Sequence, residues 1–253
     1  MDMFVSLPAW KRQVSAVLAV LALFSVAPAI AGEAPLLGSV EEYQARYRLD
    51  DIFQKLVDNR GQGYTDLYGT RNLRAVLNGI VYRGGANNVY HNTHPRSNMN
   101  PLPTDGLQNL CEEGFTSAVY LYPNNFSTAP KVTTCRLKDG STNQLRYLQK
   151  SPLSSTQARD EVVKIVNDKL LGGDPRPLYL HCWNGWHASG YISAILLRQF
   201  CGMSSATAVD YWNRNTDGNN GSSYEPIRKK IRDYKPNAQY TIGADVKAKI
   251  CPN

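Results

Sequence analysis

The sequence predicts an α/β fold with a central sheet flanked by helices, and three observations carry that reading. Short apolar strand patterns alternate with amphipathic helix patterns through the second half of the chain, the arrangement that builds one sheet with crossover helices. A length of 253 residues suits one well-filled domain or two small ones. A composition of 42% hydrophobic and 19% charged residues excludes a largely disordered chain, a collagen-like fibre and a polytopic membrane protein.

The first segment stands apart from the fold. Lys11 and Arg12 precede an apolar run over residues 14–26, and Ala29-Ile30-Ala31 gives a small-x-small pattern before Gly32. This is the form of a secretory signal peptide over residues 1–31, cut after Ala31. The rival is a retained anchor, but the apolar run is short for spanning a bilayer. Export, to a periplasm or outside the cell, with no stable membrane insertion after cleavage, is therefore expected. Loss of Asp2, Lys11 and Arg12 lowers the formal charge from +7 to +6. The basic excess favours an anionic partner, yet it is spread along the chain, and no basic-aromatic motif points to nucleic acid.

Next, Ser39-Val40-Glu41-Glu42 has the form of a capping box, and Ile52, Phe53, Leu56 and Val57 follow at helical spacing. One or two helices are predicted over 40–58, making 32–69 a helical extension ahead of a main domain over 70–253. Gly61, Gly63 and Gly69 break the pattern, and residues 87–103 read as a polar, proline-bearing loop. Thr104 opens a short helix with Leu107 and Leu110 inward, closed by Gly114. Residues 115–122 and 145–148 are strand candidates. A helix starts at Ser154-Ser155-Thr156-Gln157 and carries Ala158, Val162, Ile165, Val166 and Leu170 on one face, ending at Gly172-Gly173. Residues 177–181 form a short apolar strand, followed by a buried helix from about Ser189 to Phe200, stopped at Gly202. Two more helices follow, one from Ser204 with Ala208, Val209 and Trp212, the last with Ile227 and Ile231. The basic run Arg228-Lys229-Lys230 on that last helix reads as a solvated face.

Export changes how the cysteines are read. Cys111, Cys135, Cys182, Cys201 and Cys251 are an odd number for an oxidising compartment, so four can pair and one is left over. Local order pairs Cys111 with Cys135 and Cys201 with Cys251, leaving Cys182 free. Five reduced, buried thiols are the alternative.

Chemistry is concentrated in His181-Cys182-Trp183-Asn184-Gly185-Trp186-His187-Ala188-Ser189-Gly190, between a buried strand and a buried helix. A loop there aims backbone N–H groups and a helix N-terminus at one point, which suits an anion. The same partial positive charge stabilises a Cys182 thiolate and makes it nucleophilic at neutral pH. Gly185 lets the backbone curl closely around a ligand. The pattern equally fits a tight strand-to-helix turn holding a buried cysteine.

On these residues the sequence resembles the cysteine-dependent protein tyrosine phosphatase superfamily, on its atypical dual-specificity side. The signature there is His-Cys, five residues, Arg, then Ser or Thr and Gly. It is matched here at His181, Cys182, Gly185, Ser189 and Gly190. Asn72-Leu73-Arg74 and Gly79-Ile80-Val81-Tyr82-Arg83-Gly84-Gly85 are similar to the family's opening strand. Gly202-Met203-Ser204-Ser205-Ala206-Thr207-Ala208-Val209 is similar to the helix pair behind its phosphate loop. Coverage is roughly residues 70–235. The resemblance implies a phosphatase-like α/β domain after the N-terminal extension, with Cys182 as nucleophile. It further implies a loop of His181, Trp183, Asn184, Gly185, Trp186, Ser189 and Gly190 that holds a phosphate-bearing or other anionic ligand, without cofactor or metal.

The chemistry departs from the family in two places. The family's arginine, which clamps two phosphoryl oxygens in a bidentate fork, falls at Ala188. Its general acid, an aspartate on a loop after a preceding strand, falls within residues 149–155, where Lys150, Ser151 and Pro152 stand without a carboxylate. Asp139 and Asp160 are the nearest candidates. His187 is a possible substitute donor or general acid, and Arg83, at the end of the opening strand, a possible substitute cation. Trp183 and Trp186 either wall the pocket or fill it. His91 and His94 would make a metal site only with His181 or His187, and Asp217-Gly218-Asn219-Asn220-Gly221 lacks the downstream spacing of a calcium loop. A solvated loop and a plain turn are the simpler readings. The expectation is an exported phosphatase-like protein with impaired or atypical phosphomonoester hydrolysis; the alternative is an inactive phosphatase-like binding module.

Overall fold

A computed structural model of the chain describes residues 33–49, 51–87, 101–172 and 174–252. The expected signal segment and the loop with His91 and His94 lie outside the described residues.

Six strands form one sheet: β1 (Thr70–Leu77), β2 (Val81–Ala86), β3 (Ser117–Tyr120), β4 (Val132–Arg136), β5 (Thr142–Gln149) and β6 (Leu178–Cys182), in spatial order β1-β2-β6-β3-β5-β4. The four inner strands run parallel, and an antiparallel hairpin closes each edge. Seven α-helices are described: α1 (Glu33–Tyr47), α2 (Thr104–Glu112), α3 (Thr156–Leu170), α4 (His187–Cys201), α5 (Ser205–Arg214), α6 (Glu225–Asp233) and α7 (Ala244–Ile250). The predicted α/β class, a central sheet flanked by helices, is the observed one.

Strand alternation divides the interior into two cores. In β6, Leu178, Leu180 and Cys182 face a cluster with α3, α4, α5 and α6, whereas Tyr179 faces a second cluster with α2 and the aromatic rings of Tyr82, Phe115, Tyr120 and Tyr147. Helix α4 is buried over most of its length because it lies at the centre of the first cluster, which explains its nearly continuous apolar sequence. Ser155 caps α3, its Oγ accepting from Ala158 N at 3.2 Å.

The N-terminal region departs from expectation. Helix α1 begins at Glu33, so Ser39 lies inside it, and its Oγ donates to Pro175 O at 3.1 Å instead of capping. Leu36 and Val40 are fully buried in the same cluster as α4, so this helix is part of the core. The predicted continuation to residue 58 is not helical. Asp51 Oδ1 accepts from Phe53 N and Gln54 N at 2.5 and 2.7 Å, an Asx turn that competes with the helix. Leu56 N then donates to Leu73 O at 2.9 Å, and Val57 bridges to Leu73, so these apolar residues extend the edge of β1.

Cys111 joins Cys135 across α2 and β4, Cys201 joins Cys251 across the ends of α4 and α7, and Cys182 is free and buried. Bonds closing separations of 24 and 50 residues restrict the unfolded chain by about 3 and 4 kcal/mol in the chain-entropy account. Among the described residues, no helix is long and apolar enough to cross a membrane.

Candidate active site

Cys182 ends β6, the strand that pairs with β2 on one side and β3 on the other, and α4 starts at His187. The connecting residues therefore lie over the carboxyl ends of the parallel strands, where open α/β sheets leave a crevice. Gly185 adopts φ +77°, and a Cβ there would lie 2.7 Å from Gly84 C and 2.8 Å from Gly85 N, so both the conformation and the close approach require glycine.

Five successive carbonyls, residues 182–186, are bonded into the body of the protein. His181 Nδ1 lies 3.3 Å from Cys182 O, Ala86 N donates to Trp183 O at 3.0 Å, and Asn72 Nδ2 donates to Asn184 O at 2.8 Å. Arg83 Nη2 donates to Gly185 O and, at 3.3 Å, to Trp186 O. An antiparallel bridge between Gly85 and Asn184 ties the first half of the loop to β2. Asn72 reaches its position through φ +49° at an irregularity in the β1–β2 pairing, a conformation that asparagine tolerates better than most residues.

His181 is fully buried and stacks on Tyr120, Tyr147 and Tyr179 at 5.2, 5.6 and 5.6 Å between ring centroids. Tyr147 Oη accepts from Leu102 N at 3.0 Å, leaving its proton for His181 Nε2 at 2.8 Å. That assigns the ring proton to Nδ1, which donates to Cys182 O. Burial pushes the His181 pKa down to about 3, against the weaker opposing effect of this bond, so the ring is neutral at physiological pH.

The Cys182 thiol is 2% exposed, with Sγ 3.4 Å from Ser189 Oγ on the first turn of α4. Ala188 is fully buried beside it. Gly190 admits Trp212 and Arg83, since a Cβ there would lie 3.1 Å from Trp212 Cδ1 and 3.4 Å from Arg83 Nη2. Arg83 is itself fully buried, and its Nη2 also donates to Ser189 Oγ at 3.3 Å.

The other expected site residues point elsewhere. His187 Nε2 donates to Asn219 O at 2.8 Å, and its ring stacks on Tyr224 at 4.0 Å; burial lowers its pKa. Trp183 Nε1 donates to Tyr120 Oη at 3.0 Å while its ring stacks on Tyr122 at 4.8 Å. Trp186 Nε1 donates to Asp217 Oδ2 at 3.1 Å on the opposite rim. The indoles thus brace both sides of the loop.

Asp217 lies in a turn, as the sequence predicts, and its carboxylate reaches the loop through Trp186. It also pairs with Lys55 at 2.8 Å and Arg74 at 3.5 Å. Its burial opposes ionisation, but Lys55, Arg74 and Trp186 outweigh that and hold its pKa below the usual value. Asp139 accepts from Ser141 N and Oγ within the β4–β5 turn, Asp160 pairs with Arg159 on α3, and Lys150 pairs with Glu161. Among the described residues no group of three or more His, Cys, Asp or Glu side chains is placed to hold a metal. A cavity of about 670 Å³ lies apart from the loop, lined by Leu49, Phe53, Met203, Tyr211 and Lys249 among others.

Comparison with protein-family models finds no match, and comparison with curated proteins finds none. Among solved structures, the chain is similar to the core catalytic domain of the PP-IP phosphatase SIW14 from S. cerevisiae, determined in complex with citrate. The two share 17% identity over 65% of this chain and 86% of that one, with a TM-score of 0.39.

Proposed function

We propose that this is an exported phosphatase-like protein that holds a phosphorylated or other anionic ligand at the Cys182 loop and hydrolyses phosphomonoesters poorly. One observation carries the reading: the carbonyls of residues 182–186 are all bonded into the body. Beside them stand the N-terminus of α4 and one free thiol, groups suited to an oxyanion. The two disulfides and the signal-like residues 1–31 support export.

In this reading the Cys182 thiolate attacks phosphorus, the leaving-group oxygen departs with the bonding electrons, and water resolves the phosphocysteine to thiolate and inorganic phosphate. Two groups that speed those steps are missing. Ala188 supplies no guanidinium for the equatorial oxygens, and loss of such an arginine costs about 10³-fold or more in rate. The turn over residues 150–155 supplies no carboxylic acid for the leaving group. His187 spends its Nε2–H on Asn219 O, so it enters as the anchor of the 217–220 turn. The binding-module alternative is favoured by the low exposure of Cys182 between two braced tryptophans.

With a generic aryl phosphate, turnover is expected near background, and what remains disappears in Cys182→Ser. Robust hydrolysis that depends on Cys182 contradicts the impairment, whereas hydrolysis unaffected by Cys182→Ser contradicts the nucleophile.

A further inference from the structure

Arg83 sits on β2 opposite Leu180 of β6 and is fully buried, although a guanidinium is costly to bury without a counter-charge. Its Nη2 makes every hydrogen bond described for the side chain, to Gly185 O, Trp186 O and Ser189 Oγ, while Nε and Nη1 have no partner. Among the described residues no carboxylate pairs with it. The adjacent Arg74 is also buried, and burial first, then the charge of Arg83, pushes its pKa down to about 10. Asp217 lies 3.5 Å from Arg74 but is shared with Lys55. Positive charge behind the loop therefore exceeds negative charge, and an anion on the loop would balance it.

We infer that Arg83 is a positioning residue that supplies, from beneath the loop, the positive charge that Ala188 does not. It acts through Gly185, Trp186 and Ser189 on the Cys182 thiolate and on a bound oxyanion. The inference rests on reading the Cys182 loop as an anion site.

The hydrogen bonds give its route. A guanidinium only donates, so Ser189 Oγ accepts from Arg83, and the single hydroxyl proton of Ser189 is left for Cys182 Sγ at 3.4 Å. The thiol proton goes to solvent when the thiolate forms, and Ser189 then donates to the sulfur without losing its own proton. The same Nη2 also holds the Gly185 and Trp186 carbonyls in place. In this arrangement the cation touches neither sulfur nor ligand. It sets the geometry and the field in which both sit.

The test reads the thiolate directly, as its ultraviolet absorbance relative to Cys182→Ser, in Arg83→Met, Arg83→Lys, Ser189→Ala and the Arg83→Met/Ser189→Ala double variant. At neutral pH the Arg83→Met and Ser189→Ala proteins are expected to show about tenfold less thiolate absorbance than wild type. Two residues acting along one route give a double variant no worse than the weaker single one. Arg83→Lys, which keeps the charge but loses the planar fork, falls between. Calorimetric titration should show inorganic phosphate binding about tenfold more weakly to Arg83→Met. A folded Arg83→Met protein with wild-type thiolate content and phosphate affinity overturns the inference. Should Arg83→Met not fold, unchanged thiolate content in both Arg83→Lys and Ser189→Ala overturns it. Failure of the parent reading has a different signature: the wild-type protein itself then binds no phosphate.

Discussion

Ala188→Arg is expected to tighten binding of inorganic phosphate by about tenfold or more, the magnitude of a charge-assisted hydrogen bond to an oxyanion. A guanidinium on the first turn of α4 would add charge-assisted donors beside the anion site proposed at Cys182. Ala188 is fully buried in the core cluster that also holds Cys182, so the new side chain must displace its neighbours. Thermal unfolding of the variant therefore accompanies the calorimetry, because overpacking costs about 1–3 kcal/mol. Turnover of an aryl phosphate should rise as well, most for good leaving groups, since no acid in the 150–155 turn protonates poor ones. A folded variant with no gain in phosphate affinity would mean that the loop does not present its amides to an oxyanion.

Acidification should destabilise the fold through His181 more than through any other single histidine described. The ring titrates at about 6.5 when unfolded and about 3 when folded, because burial among Tyr120, Tyr147 and Tyr179 disfavours the cation. The unfolded chain thus binds more protons between those values, and stability is full above 6.5 and falls as pH drops toward 3. The slope is about 1.4 kcal/mol per pH unit from this residue alone, on the order of 5 kcal/mol across the window. His181→Gln can keep a donor toward Cys182 O but does not titrate. Its urea-unfolding free energy, although lower at neutral pH, should approach that of wild type as pH falls. Parallel pH profiles for the two proteins would show that His181 is not held neutral.

Much of this was legible in the sequence, for local reasons. The β6–loop–α4 unit is written in adjacent residues, as a short apolar strand, a glycine that must take positive φ and a continuously apolar helix. The cysteine pairing followed from neighbour order, leaving Cys182 free as expected. What was not legible depends on contacts distant in sequence. Ser39-Val40-Glu41-Glu42 imitates a capping box inside a helix that had already begun, and Leu56 and Val57 have helical spacing but bond to Leu73. Strand β4 hid because an edge strand with exposed Val132 and alternating polar residues carries little apolar signal. Asp217 comes to the loop through Trp186, 31 positions earlier, and nothing near Asp217 in the chain announces that bond. Arg83 was readable as a nearby cation, whereas its place beneath the carbonyls of Gly185 and Trp186 emerged only from the sheet register.

The most direct test of the anion site proposed at the loop is the rate at which a small alkylating reagent modifies Cys182 in the non-reduced protein as inorganic phosphate is titrated in. Cys182 is the only thiol outside the two disulfides, so the label reports one residue. Labelling of Cys182 alone is expected, with saturable protection by phosphate and none by chloride at equal ionic strength. Labelling that proceeds at the same rate at every phosphate concentration, in protein that remains folded, would contradict it.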